Sequence, residues 1–421
     1  MIAEFAVENF RSFKEKHTFS LMSTKDKELS ESNTFETDRK LRFLKSAVIY
    51  GANASGKSNF FSAFNFFLYF SIFSGPRMQA KDLINIDPFL LSKQKETAPS
   101  SFEIIFIIKN GSSEIRYRYG FALDKNQVIS EYLYAINNVR EVMLFMRDFQ
   151  KIEHTSYFRE AVRGKLSVRN NCTFLSVCAQ NNGDVSTQII EYFRKVEVLS
   201  GLYEPALPDN ENMHPENKKK IVNFLKYADI QITNYKSESV PIFSTIPDSE
   251  LSAQFKSKYP DAHVEKIQYG HAYFDEGKLA GERYLDEAVE SAGTRKLFSY
   301  SSYILDALEK GTPLFIDEFD ALLHPLIIEN IVKLFNSPRN NPNNAQLVIS
   351  CHATTIMTNK LLRRDQIWFC EKDQYGATDL YSLVQYKESV SVRKDSSYNK
   401  NYMQGKYGAV PHIGEEDILL P

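Results

Sequence analysis

The sequence predicts an α/β fold: a mixed β-sheet with flanking helices, an antiparallel β-subdomain beside it, and an inserted, mainly helical lobe. Three observations carry that expectation. The apolar run Ala47-Val48-Ile49-Tyr50 leads into Gly51-Ala52-Asn53-Ala54-Ser55-Gly56-Lys57-Ser58 and then into the apolar segment Asn59 to Phe73, a strand, a glycine-containing loop and a helix. Two β-rich runs, Ser101–Ile108 and Glu114–Leu123, flank Lys109-Asn110-Gly111, and Asn-Gly between such runs is a hairpin signal. Towards the end of the chain, Leu314–Asp317, Gln346–Ser350 and Ile367–Cys370 alternate with helical segments, as the strands of a largely parallel sheet do.

The totals narrow the class. A chain of 421 residues has material for two or three domains and a sizeable core. Hydrophobic residues at 43% and charged residues at 25% are ordinary for a soluble globular protein, and a net charge of −2 makes no global case for nucleic-acid binding. Cys172, Cys178, Cys351 and Cys370 lack metal-site spacing and read as the reduced thiols of a cytoplasmic protein. Met1-Ile2-Ala3-Glu4-Phe5 has no cationic stretch followed by an apolar one, so secretion is not expected. The most lipid-like segment, Phe60–Phe73, is interrupted by Ser62, Asn65 and Ser71 and is too short to span a bilayer. It reads as a buried helix, and no membrane partner is expected.

Taken in order, Ile2 to Val7 alternates as a half-buried strand does. Asn9-Phe10-Arg11-Ser12-Phe13 follows, and the polar stretch to about Lys40 reads as a loop or hairpin over the site, with Arg11 a candidate phosphate contact. Val128–Ile136 reads as a further strand. Residues 1–142 are assigned to the first half of the α/β domain, 143–280 to the inserted lobe and 281–421 to its second half. Within the lobe, Gln188–Val198 and Glu216–Tyr227 read as helices, and Tyr203–Pro215 reads as a loop carrying Pro205, Pro208 and Pro215. Lys218-Lys219-Lys220 is read first as a charged helix face and second as a nucleic-acid contact. Regular structure resumes at Glu290-Ser291-Ala292-Gly293-Thr294-Arg295, where Ser291 or Thr294 can cap the apolar helix running through Leu305 and Leu308.

The chemistry starts from the loop Gly51–Ser58, which fits the P-loop pattern. Gly51 and Gly56 let the backbone turn tightly enough for successive N–H groups to wrap a phosphate, and Asn53, Ser55 and Asn59 are candidates for the same cradle. Lys57 would reach the β- and γ-phosphates and Ser58 would hold Mg²⁺, with the helix N-terminus adding partial positive charge. Asp317 and Glu318 close an apolar strand, where charges are costly unless employed. Asp317 would support Mg²⁺ and Glu318 would polarise water for attack on the γ-phosphate. His352, at the end of the next strand, would bond the γ-phosphate or that water. No Asn/Thr-Lys-x-Asp guanine-reading motif accompanies the P-loop, so ATP is expected rather than GTP.

As an ordered set, the motifs resemble an ABC-type ATPase head of the SMC/RecF/OLD group, and within it the bacterial RloA/AbiL-like, AAA-family ATPases of phage-defence loci. The residues carrying the resemblance are Asn9–Phe13, the P-loop, Glu290–Thr294, Phe315–Pro325, Ser350-Cys351-His352 and the tail Lys400–Pro411. The resemblance implies that Ser291 and Gly293 form a signature motif contacting the ATP of a second protomer. It also implies that Asp320 lies in a loop at that interface, and that the protein forms a homodimer through an ATP sandwich. A separate effector, a RloB-like nuclease, would be controlled in antiviral (abortive infection) defence. His324 matches the family pattern and is expected to be structural. Ala292 stands where standard transporters have Gly, no Q-loop glutamine is placed (Gln127 falls in a hairpin), and coiled-coil arms and a toprim-like acidic cluster are not evident. The alternative reading is a RecF/SMC-like DNA-binding ATPase in DNA repair.

Overall fold

The computed structural model describes residues 1–111, 113–137, 140–162, 166–203, 205, 215–241, 263–386 and 396–411. Contacts divide the chain into two compact units, Met1–Leu202 with Ala307–Pro421, and Tyr203–Asp306.

Among the described residues the larger unit carries two large sheets and a two-stranded ribbon, Thr34–Glu36 with Arg42–Leu44. One has six strands in the order Glu197–Ser200, Leu314–Asp317, Leu347–Ser350, Ser46–Tyr50, Ile367–Lys372, Thr378–Ser382. The first five are parallel and the last is antiparallel. Ile316, Ile349, Val48 and Ile367 align as one rung. The central strands Leu314–Asp317, Leu347–Ser350 and Ser46–Tyr50 are buried on both faces, which is why they read as unbroken apolar runs. In register, their carboxyl ends finish together at one edge, the usual ligand edge of an open α/β sheet. The other sheet is antiparallel throughout, in the order Lys151–His154, Arg140–Asp148, Val128–Asn137, Ser113–Leu123, Ser100–Asn110, Ile2–Glu8, His17–Ser20. The hairpin anticipated at Lys109-Asn110-Gly111 is present, with Gly111 at φ +59°.

The helix Lys57–Arg77 lies between the two sheets. On one side Phe64 stacks on Phe315 at 4.2 Å; on the other Phe67 stacks on Phe121 at 5.3 Å and Phe5 meets Phe64 edge-on at 5.0 Å. Most of its apolar side chains are buried between the sheets while Asn65, Tyr69 and Arg77 face solvent, so most of this segment is core. Among the described residues no helix is long and apolar enough to cross a membrane, and the four cysteines are buried and unbridged.

Four expectations change. Residues 143–202, assigned from sequence to the lobe, build the larger unit. Arg140–Asp148 extends the antiparallel sheet, and Glu197–Ser200 is the edge strand beside Leu314–Asp317. The helix expected over Gln188–Val198 runs instead from Asp184 to Phe193 and stops before that strand. Among the described residues the smaller unit is not mainly helical. Beside the helix Pro215–Tyr227 and the first part of Ala292–Lys310 it holds an antiparallel sheet, Asn234–Pro241, His263–Asp275 and Lys278–Asp286. Tyr235 and Tyr269 meet Phe298 edge-on at 4.8 and 5.0 Å, giving the unit its own small core. Most of the stretch Tyr203–Pro215 lies outside the described residues.

The fourth change concerns the polar stretch before Lys40, which is tied away from the site. Buried Arg363 pairs with Asp365 at 2.9 and 2.7 Å and donates to the carbonyls of Asp26 and Glu28, while Asp365 accepts from the Thr24 N–H at 2.8 Å. Those residues precede Ile367, at the amino end of a strand whose carboxyl end faces the P-loop.

Candidate active site

The P-loop leaves the central strand Ser46–Tyr50 and threads between fixed neighbours. A Cβ on Gly51 would lie 2.4 Å from the Cys370 carbonyl oxygen, and one on Gly56, at φ +112°, 2.1 Å from the Thr378 hydroxyl oxygen. Both glycines are therefore required by close approach as well as by backbone angle. Lys57, 5% exposed, donates from Nζ to the carbonyls of Gly51 at 2.8 Å and Ala52 at 3.0 Å. Burial lowers its pKa, while Cys370, Asp317, Glu318 and Asp320 oppose that shift.

A hydroxyl chain clamps the loop from outside. Asn59 Nδ2 donates to Ser12 Oγ at 2.7 Å, Ser12 Oγ and Thr378 Oγ1 lie 2.8 Å apart, and Thr378 Oγ1 donates to the Ser55 carbonyl at 2.8 Å. The Thr378 N–H adds a bond to the Ser12 carbonyl at 2.7 Å. The motif Asn9–Phe13 thus meets the P-loop through Ser12. Arg11, the expected phosphate contact, is not brought to the cavity. It pairs with Asp87 at 3.5 Å and donates to Ser62 at 3.0 Å. Neither Ser12 nor Thr378 was singled out from sequence, because an isolated hydroxyl carries no spacing signal.

The acids arrive on the parallel strands next door. Ser350 Oγ donates to Asp317 Oδ1 at 2.5 Å and accepts from the Glu318 N–H at 2.6 Å, so one hydroxyl positions both. Glu318 adopts φ +50°, a conformation that costs a non-glycine residue roughly 1–3 kcal/mol and that clusters at functional sites. Gly201 packs against it, and a Cβ there would fall 2.0 Å from the Glu318 carbonyl oxygen. Asp320 Oδ2 accepts from the N–H groups of His352 at 2.7 Å and Ala353 at 2.9 Å, fixing the histidine loop within the chain. Partial burial lowers the His352 pKa and Lys57 lowers it further, against Asp320, Glu318 and Asp317. The imidazole is therefore biased to the neutral form.

These parts share one cavity of about 490 Å³, lined by residues 53–59 together with Glu318, His352 and Lys372. Asn53, Ser55, Gly56, Lys57, Ser58, Asn59, Glu318 and His352 were expected there; Lys372 was not. Ser55 Oγ is buried with no hydrogen-bond partner among the described residues, an acceptor-seeking group inside the loop that would cradle a phosphate. Donors and acids present therefore fit a nucleoside triphosphate.

Ser291 and Gly293 belong to the smaller unit. Ser291 Oγ accepts from the Thr294 N–H at 3.1 Å, the capping role anticipated for it, at the start of the helix Ala292–Lys310. His324 Nδ1 likewise accepts from the Leu326 N–H at 3.2 Å and caps the helix Pro325–Asn336. The tail packs under the site: Tyr402 stacks on Phe369 at 5.4 Å, and Tyr381 donates to the Tyr407 carbonyl at 2.8 Å.

A family model described as "AAA domain, putative AbiEii toxin, Type IV TA system" matches residues 46–358. The comparison with curated proteins gives no match. Among solved structures, the SMC head domain from Thermotoga maritima is 12% identical with a TM-score of 0.40, over 90% of this chain and 98% of that one. The protein cbiO1 from Clostridium perfringens, titled as part of the ABC transporter complex cbiONQ, is 11% identical with a TM-score of 0.33, over 97% of this chain and 93% of that one.

Proposed function

The chain belongs to this AAA-domain family, and on that premise we propose that it is an ATP-binding and ATP-hydrolysing ABC-type switch. The observation that carries the reading is the single cavity in which the P-loop, Glu318 and His352 meet. The loop N–H groups and Ser55 Oγ bind the phosphates, with Lys57 as their counter-charge. Ser58 and Asp317 supply oxygen ligands for Mg²⁺, which when bound neutralises charge on the phosphates; a few protein oxygens suffice, since Mg²⁺ keeps several waters. Glu318 accepts a proton from water as its oxygen attacks the γ-phosphorus. The bond from that phosphorus to the bridging oxygen breaks, and ADP and phosphate leave. Neutral His352 accepts a hydrogen bond from that water or donates one to the γ-phosphate.

In the same proposal, Ser291 and Gly293 of one protomer present a helix N-terminus to the nucleotide of another, so that ATP joins a homodimer and hydrolysis releases it. Output through a separate effector, a RloB-like nuclease in antiviral defence in the cytoplasm, is our assignment, as is the closer RloA/AbiL-like kinship; the family description itself names a putative AbiEii toxin of a type IV system. The test is phosphate release. The wild-type chain should turn over ATP, Lys57→Ala should abolish binding, and Glu318→Gln should bind ATP, lose at least about a hundredfold in turnover and accumulate as a dimer. Wild-type turnover by Glu318→Gln would remove Glu318 from its role.

One observation favours the second reading, a DNA-clamping ATPase. Lys218, Lys236 and Lys266 line a cavity of about 470 Å³ in the smaller unit, whereas Lys219 and Lys220 do not. That reading requires ATP-dependent duplex binding that weakens steeply with salt and is lost in Lys218→Gln/Lys236→Gln/Lys266→Gln. Binding unchanged in this variant excludes the cavity as the contact.

A further inference from the structure

We infer that Lys372 is a second phosphate-binding cation of the site, holding the part of the phosphate chain that lies away from the hydrolytic carboxylates. The inference rests on the ATPase reading above and assigns a residue to it that no sequence motif marks.

Lys372 is the last residue of the strand Ile367–Lys372 and lines the same cavity as the P-loop, Glu318 and His352. Its backbone is locked to the loop at two points. Two residues earlier, the Cys370 carbonyl oxygen abuts Gly51. Directly across the antiparallel ladder stands Thr378, whose hydroxyl holds the Ser55 carbonyl at 2.8 Å. Strand side chains alternate, so Lys372 projects on the face that Cys370 turns towards Lys57. The long side chain is exposed, and among the described residues no ion pair engages it.

Charge explains why the site needs it. Lys57 faces Asp317, Glu318 and Asp320, is itself desolvated, and has its ammonium bonded to two carbonyls. Those three acids already outnumber Lys57 before any phosphate enters, and a bound divalent ion offsets only part of the excess. A solvated lysine on the cavity wall supplies the missing positive charge as a mobile point charge, the way lysine usually serves phosphate.

Strand order says which phosphates it serves. Leu314–Asp317 and Leu347–Ser350, which bring Glu318 and His352, lie on one side of the P-loop strand, and Ile367–Lys372 lies on the other. Lys372 approaches from the flank opposite the water-activating groups. Its contact is therefore with phosphates common to ATP and ADP, and it acts in binding rather than in the chemical step.

The experiment measures Mg²⁺-ATP and Mg²⁺-ADP affinity and steady-state turnover for the full chain, Lys372→Ala, Lys372→Arg and Lys57→Ala. Lys372→Ala should weaken both nucleotides in parallel by about tenfold, the scale of one charge-assisted contact, and raise KM equally, with kcat within about twofold. Lys372→Arg should recover most of the affinity. Unchanged affinity for both nucleotides in Lys372→Ala, or a loss confined to kcat, overturns the assignment of Lys372 alone, provided that the wild type binds and Lys57→Ala does not. A wild-type chain that binds neither nucleotide overturns the ATPase reading and this inference with it.

Discussion

At the carboxyl end of the strand Leu347–Ser350, one hydroxyl and one carboxylate hold the reacting groups in place. Ser350 spans Asp317 and Glu318, and Asp320 grips the backbone of His352. The electrostatics of His352 can be checked directly. Burial and Lys57 push its pKa below the usual 6.5, and the three carboxylates pull the other way. In the nucleotide-free chain, the ring should titrate by NMR with a midpoint below 6.5. Asp320→Asn, which removes an opposing charge, should move that midpoint lower, and Lys57→Ala should move it higher. The linkage has a matching sign. The unfolded imidazole takes up its proton near pH 6.5 and the folded one only at lower pH, so this group's contribution to stability is present above 6.5 and lost as pH falls through that window. A midpoint at or above 6.5 would mean that the carboxylates offset burial and Lys57 and that the site does not bias His352 to the neutral form.

At the scale of elements, the P-loop is held by segments from three parts of the chain, and the clamp can be cut without touching a phosphate ligand. Thr378→Val keeps the shape of a residue that is 2% exposed and removes the hydroxyl bonded to Ser12 and to the Ser55 carbonyl. It should cost about 1–3 kcal/mol in denaturant unfolding, the scale of a buried acceptor left unpaired, and weaken ATP binding by loosening the loop. Stability equal to wild type would show that the clamp carries no load. Gly56→Ala is the harsher test: at φ +112° with 2.1 Å to Thr378 Oγ1, the added methyl must displace the loop or the strand, and nucleotide binding should be lost.

The same elements explain what the sequence discloses. Ala47–Tyr50, Leu314–Ile316 and Leu347–Ile349 are buried on both faces and read as apolar runs, so the central sheet and the acids that end it are legible. Glu197–Ser200 is four residues long and only half-buried, and Lys278–Asp286 is exposed along most of its length, so neither shows a strand pattern. The Ser12–Thr378 clamp joins positions far apart in the chain through hydroxyls that look like any other polar residue. Lys372 closes its strand directly after Glu371, and a charged pair is also what an ordinary strand end looks like.

At the scale of the whole molecule, the proposal that each site is built from two protomers has a consequence that no single-chain scheme shares. Lys57→Ala disables the P-loop and leaves Ser291 and Gly293 intact. Gly293→Asp puts a carboxylate where the signature would meet phosphate and leaves the P-loop intact. Each variant alone should be inactive in phosphate release. In a twofold dimer formed from both, the P-loop of the Gly293→Asp chain faces the signature of the Lys57→Ala chain, and one of the two sites is whole. Random mixing makes about half of the dimers mixed, so the mixture should recover roughly a quarter of wild-type turnover at equal total protein. The recovery must fall on dilution, because it depends on association, and must vanish when both substitutions sit in one chain mixed with itself. If Gly293→Asp alone turns over ATP at the wild-type rate, the signature contributes nothing to the site. If the mixture stays inactive although both variants fold, each protomer hydrolyses with its own residues, and the link from ATP binding to dimer formation is broken.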